Sequence, residues 1–241
     1  MPRVINTWRD PYDQGFSTCR PKQITIQPGL TVLVGCNGAG KTTLLNNIKS
    51  ELKKARVPYY TFNNLNDGGS NARGAALYRE DFSFMATAAM SSEGENICMN
   101  IGRVASKLKE FMQTGRVADR MTSLADALSG EEYRIPETKE RWFLLDAVDS
   151  GYSIDNVVEL KEFFNLIIKD FADHGYELYV IVSANEYELA HKTPCLDVTN
   201  GKYMEFNQYD EFKKFILKSR EKKDKRDKRV AEREWEEEEN D

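Results

Sequence analysis

Apolar residues along this chain of 241 residues follow two rhythms. Short unbroken runs at residues 31–34, 59–62, 141–146 and 179–185 are rich in β-branched and aromatic side chains and are bounded by turn residues. Such runs predict strands buried on both faces of a parallel sheet. Between them the spacing is helical. Residues 44–56 follow the first run, and residues 97–111 align Ile97, Ile101, Val104, Leu108 and Phe111 on one face. Residues 156–173 do the same with Val157, Leu160, Phe163, Phe164, Ile167, Ile168 and Phe171. A helix of that pattern covers one face of a sheet. The alternation predicts an α/β fold with a mostly parallel sheet flanked by helices, and ligand sites at the carboxyl ends of the strands. Residues 75–127 interrupt it as a helical lobe.

The first strand runs straight into Gly35-Cys-Asn-Gly-Ala-Gly-Lys-Thr-Thr43 and then into a helix. That is a phosphate-binding loop in its proper context, implying ATP or GTP and Mg²⁺. Gly35, Gly38 and Gly40 free the backbone N–H groups of Asn37, Ala39 and their neighbours to approach phosphate at the positive end of the helix. Lys41 would reach the β- and γ-phosphates, Thr42 would take one position on Mg²⁺, and Thr43 would continue the cradle. The run ending at Asp146 supplies the second element such a site needs, a carboxylate at a strand terminus that would hold the metal together with Thr42. Upstream, Ser129 and Glu132 of Leu128-Ser-Gly-Glu-Glu132 have the spacing of a capping box, and so of a helix start able to take an anion.

In this order the motifs resemble those of the ABC-type ATPases, a class that includes transporter motors and the SMC and RecF-like heads. Gly35 to Thr43 is similar to the family's GxNGxGKTT loop, Leu128 to Glu132 to its LSGGE signature, and Phe143 to Asp146 to its magnesium-binding strand. Ser150-Gly-Tyr-Ser-Ile-Asp155 resembles the D-loop with a longer spacing. The resemblance implies a phosphate-loop fold of ABC type and a dimer that forms around two ATP molecules. In it Ser129 and Gly130 of one subunit would meet the γ-phosphate held by the other. Trp8, Tyr12 and Phe16 are the aromatic candidates to stack on adenine, with Tyr12 the preferred one.

The chain departs from the family where hydrolysis is performed. Ala147 stands where the family places its catalytic glutamate. Asp149 is the substitute base within reach, with bracing of the turn as its alternative role. Neither histidine of the chain stands at the end of the 179–185 run, where the family places its switch histidine. Asn185 is placed to donate an amide hydrogen bond to phosphate or water, or simply to make a turn. Slow hydrolysis is the expectation. The glutamine that couples transporter motors to their membrane partner has no counterpart between Thr43 and Leu128, which favours the SMC and RecF-like comparison and, with it, DNA or a DNA-associated complex as partner.

Composition adds limits. A formal charge of −5 argues against a uniformly basic nucleic-acid surface. Cys19, Cys36, Cys98 and Cys195 show no metal-ligand spacing and read as reduced thiols. No apolar run reaches membrane-spanning length and the N-terminus lacks a signal-peptide core, so the expected location is cytoplasmic. Residues 1–217 then form the ATPase domain and residues 218–241 a solvated charged tail. The tail is basic to Arg229 and acidic from Glu232, so its acidic half is expected to cover a basic nucleic-acid surface when that surface is free. Three functions follow: an ATPase that dimerises around Mg-ATP, a nucleotide-gated binding module with little turnover, and, least favoured, a transporter motor.

Overall fold

The computed structural model describes residues 1–7, 21–63, 108–116 and 134–238. Strands β1 (Arg3–Asn6) and β2 (Gln23–Ile26) pair antiparallel in a small ribbon. The main sheet has six strands in the order β4-β5-β6-β3-β7-β8. These are β3 (Gly29–Val34), β4 (Tyr59–Asn63), β5 (Glu140–Asp146), β6 (Glu177–Ser183), β7 (Cys195–Asp197) and β8 (Tyr203–Met204). All neighbours are parallel except β8, which returns antiparallel along β7.

Both faces of the sheet are covered, which is why its strands read as unbroken apolar runs. Successive side chains alternate between two cores. Leu33, Trp142, Leu144, Tyr179 and Ile181 pack with Ile48 and Leu52 of α1 (Lys41–Lys54) and with the ribbon's Ile5, Ile24 and Ile26. Val32, Val34, Phe143, Leu145, Val180 and Val182 point the other way, toward α2 (Leu108–Thr114) and α3 (Ile154–Asp173). The same core includes α4 (Tyr187–Ala190) and the first turns of α5 (Tyr209–Glu238). Trp142 and Tyr179 stack with ring centroids 4.1 Å apart, an aromatic layer under α1. The buried Asn47 amide donates to the Asn6 carbonyl at 2.8 Å and ties α1 to the ribbon.

This topology positions the site. The chain leaves β3 toward the α1 face and leaves β5 and β6 toward the α3 face, so the connections diverge on either side of the β3–β6 pair. A crevice opens at the carboxyl ends of the strands where connections part in this way. Val34, Asp146 and Ser183 all end there.

The element boundaries shift slightly from the sequence expectations. Helix α1 begins at Lys41 itself, and β6 stops at Ser183, leaving Asn185 in the turn beyond it. The larger difference is at the C-terminus. Helix α5 runs 30 residues without a break across the expected 217/218 domain boundary, about 45 Å at about 1.5 Å per residue. Ser219, beyond that boundary, is only 7% exposed. Tyr12 with Trp8 and Phe16, the signature residues Ser129 and Gly130, and the lobe apart from α2 lie outside the described residues.

Candidate phosphate-binding site

The loop between β3 and α1 is held in a shape its glycines permit. Gly35 has φ +156° and Gly40, the residue that precedes α1, has φ +100°. A Cβ on Gly35 would lie 3.0 Å from the Ala39 Cβ and 3.1 Å from Val198, so a larger residue there would have to push these neighbours back by a few tenths of an ångström. The Ala39 N–H donates to the Cys36 carbonyl at 3.0 Å and closes the turn. Asn37 and Gly38 remain exposed at the rim while Ala39 is buried. The start of α1 carries no acidic residue in its first turn and no side-chain cap. Its first N–H groups and its positive end therefore stay available to an anion.

Two side chains from the first turn of α1 reach different partners. Thr42 Oγ1 donates to Asp146 Oδ2 at 2.9 Å, across 104 residues of sequence. Asp146 is 9% exposed and is held from three directions. Asn63, at the end of β4, donates to its Oδ2 at 3.2 Å, and the Ser183 hydroxyl donates to Oδ1. Ser183 also accepts the Ala147 N–H at 3.0 Å. A hydroxyl from the first turn of α1 and a fixed carboxylate at the end of β5 form an oxygen set suited to a hard divalent cation such as Mg²⁺.

Lys41 turns the other way. Its Nζ donates to the Gly35 carbonyl at 2.8 Å and to Asn185 Oδ1 at 3.0 Å. Burial holds this ammonium's pKa below the usual lysine value, against the opposing influence of Cys36, Asp149 and Asp146 nearby. A partly desolvated cation without a full anionic partner gains the most from an incoming phosphate.

Asp149 is 5% exposed, and its Oδ2 accepts the backbone N–H groups of Asn185 at 2.5 Å and Glu186 at 2.7 Å. It binds the turn after β5 to the turn after β6 and so fixes the residue that Lys41 touches. Its other oxygen, Oδ1, is buried with no hydrogen-bond partner among the described residues. The backbone at Ala147 is left-handed, φ +50°, so the chain bends sharply where the family's glutamate would stand. Thr43 faces away from this cluster. It lines a small cleft with Thr7, Ile24, Asn47 and Val198 on the ribbon side.

The structure thus brings Lys41, Thr42, Asp146, Asp149 and Asn185 into one connected cluster. Sequence reasoning missed Asn63, Ser183 and two residues of α5. The Ser219 hydroxyl accepts the Cys36 N–H at 3.1 Å. Lys223 lays its stem on the loop, since a Cβ on Gly38 would be 2.8 Å from its Cε. Asn63 and Ser183 could have been found as polar residues closing apolar runs. No local signal marks Ser219, which lies in a charged stretch. Compared with known proteins, the chain matches no protein-family model and no curated protein.

Proposed function

We propose that this chain is an ABC-type ATP-binding protein of the SMC and RecF-like kind, which binds Mg-ATP, dimerises around it and hydrolyses it slowly. One observation carries the reading: Thr42, from the phosphate loop, meets Asp146, from a strand end 104 residues away, beside an uncapped helix N-terminus and Lys41. That is the arrangement a Mg-nucleoside triphosphate requires, with donors for the phosphates and oxygens for the metal. Thr42 and Asp146 would hold Mg²⁺, and the 35–43 loop with Lys41 would hold the phosphates. When bound, the metal would neutralise charge on the phosphate oxygens. The chain's own part is to position the phosphates, keep the lysine partly dry and present Asn185 at the open edge. Dimerisation through Ser129 and Gly130, adenine stacking on Tyr12, and action on DNA or a DNA-associated complex rest on the family resemblance.

A second reading, a nucleotide-gated binding module with little turnover, draws support from Asp149. Half of its carboxylate is committed to two backbone amides, and Ala147 offers no carboxylate in its place. Among the described residues no helix is long and apolar enough to cross a membrane.

Calorimetric titration with Mg-ATP tests the common core of both readings. The parent chain should bind and Lys41→Ala should not, while melting at the same temperature or higher because a partly buried charge has been removed. Equal binding by both proteins would refute the assignment of the loop.

A further inference from the structure

A cleft lies beside the mouth of the phosphate loop. Gly35, Asn37 and Asn185 form one wall, and Tyr209, Lys213 and Arg220 of α5 form the other. Residues spaced in this way along α5 share one face of the helix. The helix is anchored to the loop on both sides of that face. Phe212 is buried in the core, the Ser219 hydroxyl holds the Cys36 N–H, and the Lys223 stem rests on Gly38. Lys213 and Arg220 are therefore carried to the loop by a helix fixed against it.

Asn185 belongs both to the cleft and to the loop's lysine, through its 3.0 Å contact with Lys41 Nζ. An anion seated against Lys41 would present its outer edge to the cleft. Two cations wait there. Lys213 has no ion-pair partner among the described residues, and Arg220 pairs only with Asp224 of its own helix at 3.2 Å, with both side chains more than half exposed. Exposed pairs of that kind are weak and exchange readily for a phosphate. Among the described residues, Asp224 is the one carboxylate paired with either cation.

We propose that Lys213 and Arg220 bind the terminal phosphate of the nucleotide held by the loop, so that this chain distinguishes a triphosphate from a diphosphate within a single subunit. The proposal rests on the reading of the loop as a nucleotide site and adds to it a pair of cations from the C-terminal helix. It also gives the basic part of α5 a partner inside its own subunit.

The test measures the affinity of the full chain for Mg-ADP and for a Mg-ATP analogue with a non-hydrolysable β,γ-imido bridge. The Lys213→Ala/Arg220→Ala double variant should lose tenfold or more for the triphosphate and less than twofold for the diphosphate. Lys214→Ala/Lys218→Ala removes the same charge from positions of α5 outside the cleft and should change neither. Arg220→Lys, which keeps the charge, should retain most of the preference. Undiminished triphosphate affinity in the double variant would overturn the proposal. So would equal losses for both nucleotides, which would place the nucleoside end in the cleft. A parent chain that binds neither nucleotide would overturn the reading of the loop, whereas a parent that binds both and loses both with Lys41→Ala leaves that reading intact and puts only the two cations on trial.

Discussion

Asp149→Asn separates a general base from a structural brace, because it preserves shape and removes charge. In the structure Asp149 Oδ2 accepts two backbone N–H groups, at 2.5 Å from Asn185 and 2.7 Å from Glu186. Hydrogen bonds to a charged group contribute about 1.5–3 kcal/mol each and neutral ones about 0.5–1.5 kcal/mol. An amide oxygen can still accept both donors, so the substitution should cost about 1 kcal/mol per bond, or about 2 kcal/mol in all. For a domain of this size each kcal/mol lowers the melting temperature by about 2–4 °C, giving a fall of about 4–8 °C. Asp149→Ala leaves both amides without their acceptor and should cost more, about 2–6 kcal/mol.

The kinetic arm runs in parallel. If Asp149 acts by holding Asn185 against Lys41, Asp149→Asn should keep turnover within about tenfold of the parent, since the oxygen that positions the turn is retained. Losing a general base costs about a hundredfold to ten-thousandfold. Melting curves followed by circular dichroism, with steady-state phosphate release at saturating Mg-ATP, give both numbers on the same preparations. A hundredfold loss of turnover with an unchanged melting temperature would refute the brace and make Asp149 Oδ1 the atom that takes the proton.

Two further outcomes test neighbouring features. Ala147→Glu restores a carboxylate where the resembled family places its base and should raise phosphate release by about a hundredfold or more; an unchanged rate would mean that the left-handed bend at this residue aims the side chain away from the attacking water. Burial pushes the Cys195 thiol up to about 12, leaving about one thiolate in ten thousand at pH 8. Iodoacetamide at that pH should leave Cys195 of the native chain unmodified in peptide mass maps and modify it after denaturation, and labelling of the folded protein would contradict the burial.

What the sequence made legible was whatever is local or periodic. The strands could be read because both faces are buried, so that Trp142, Phe143, Leu144 and Leu145 form an unbroken run although they alternate between two cores. The strand–loop–helix around Gly35 to Thr43 could be read because its pattern is packed into nine consecutive residues. The pairing of Thr42 with Asp146 needed the added logic that a phosphate loop works with a strand-end acid. Asn63 and Ser183 escaped notice because what they do depends on strand order: β4 lies beside β5 and β5 beside β6, and only that adjacency turns their side chains onto Asp146.

The C-terminal helix shows the opposite failure. Its composition from Lys218 onward is that of a solvated tail, and averaged over the segment there is little to bury. Packing, however, needs only one face. Phe212, Phe215, Ile216, Ser219 and Lys223 recur at spacings of three and four, so the buried stripe continues across the point where composition changes. Two of its members are polar, which is why hydrophobicity alone ended the domain early. Those same two touch the 35–43 loop, Ser219 through its hydroxyl, which accepts the Cys36 N–H, and Lys223 through its methylenes. On the proposed reading the loop must leave N–H groups free for phosphate, and so cannot satisfy them all internally. A hydroxyl from a neighbouring helix can take the one at Cys36 without adding the negative charge that would repel the ligand. The residues that made the segment look like a tail are thus compatible with its serving as the outer wall of the site.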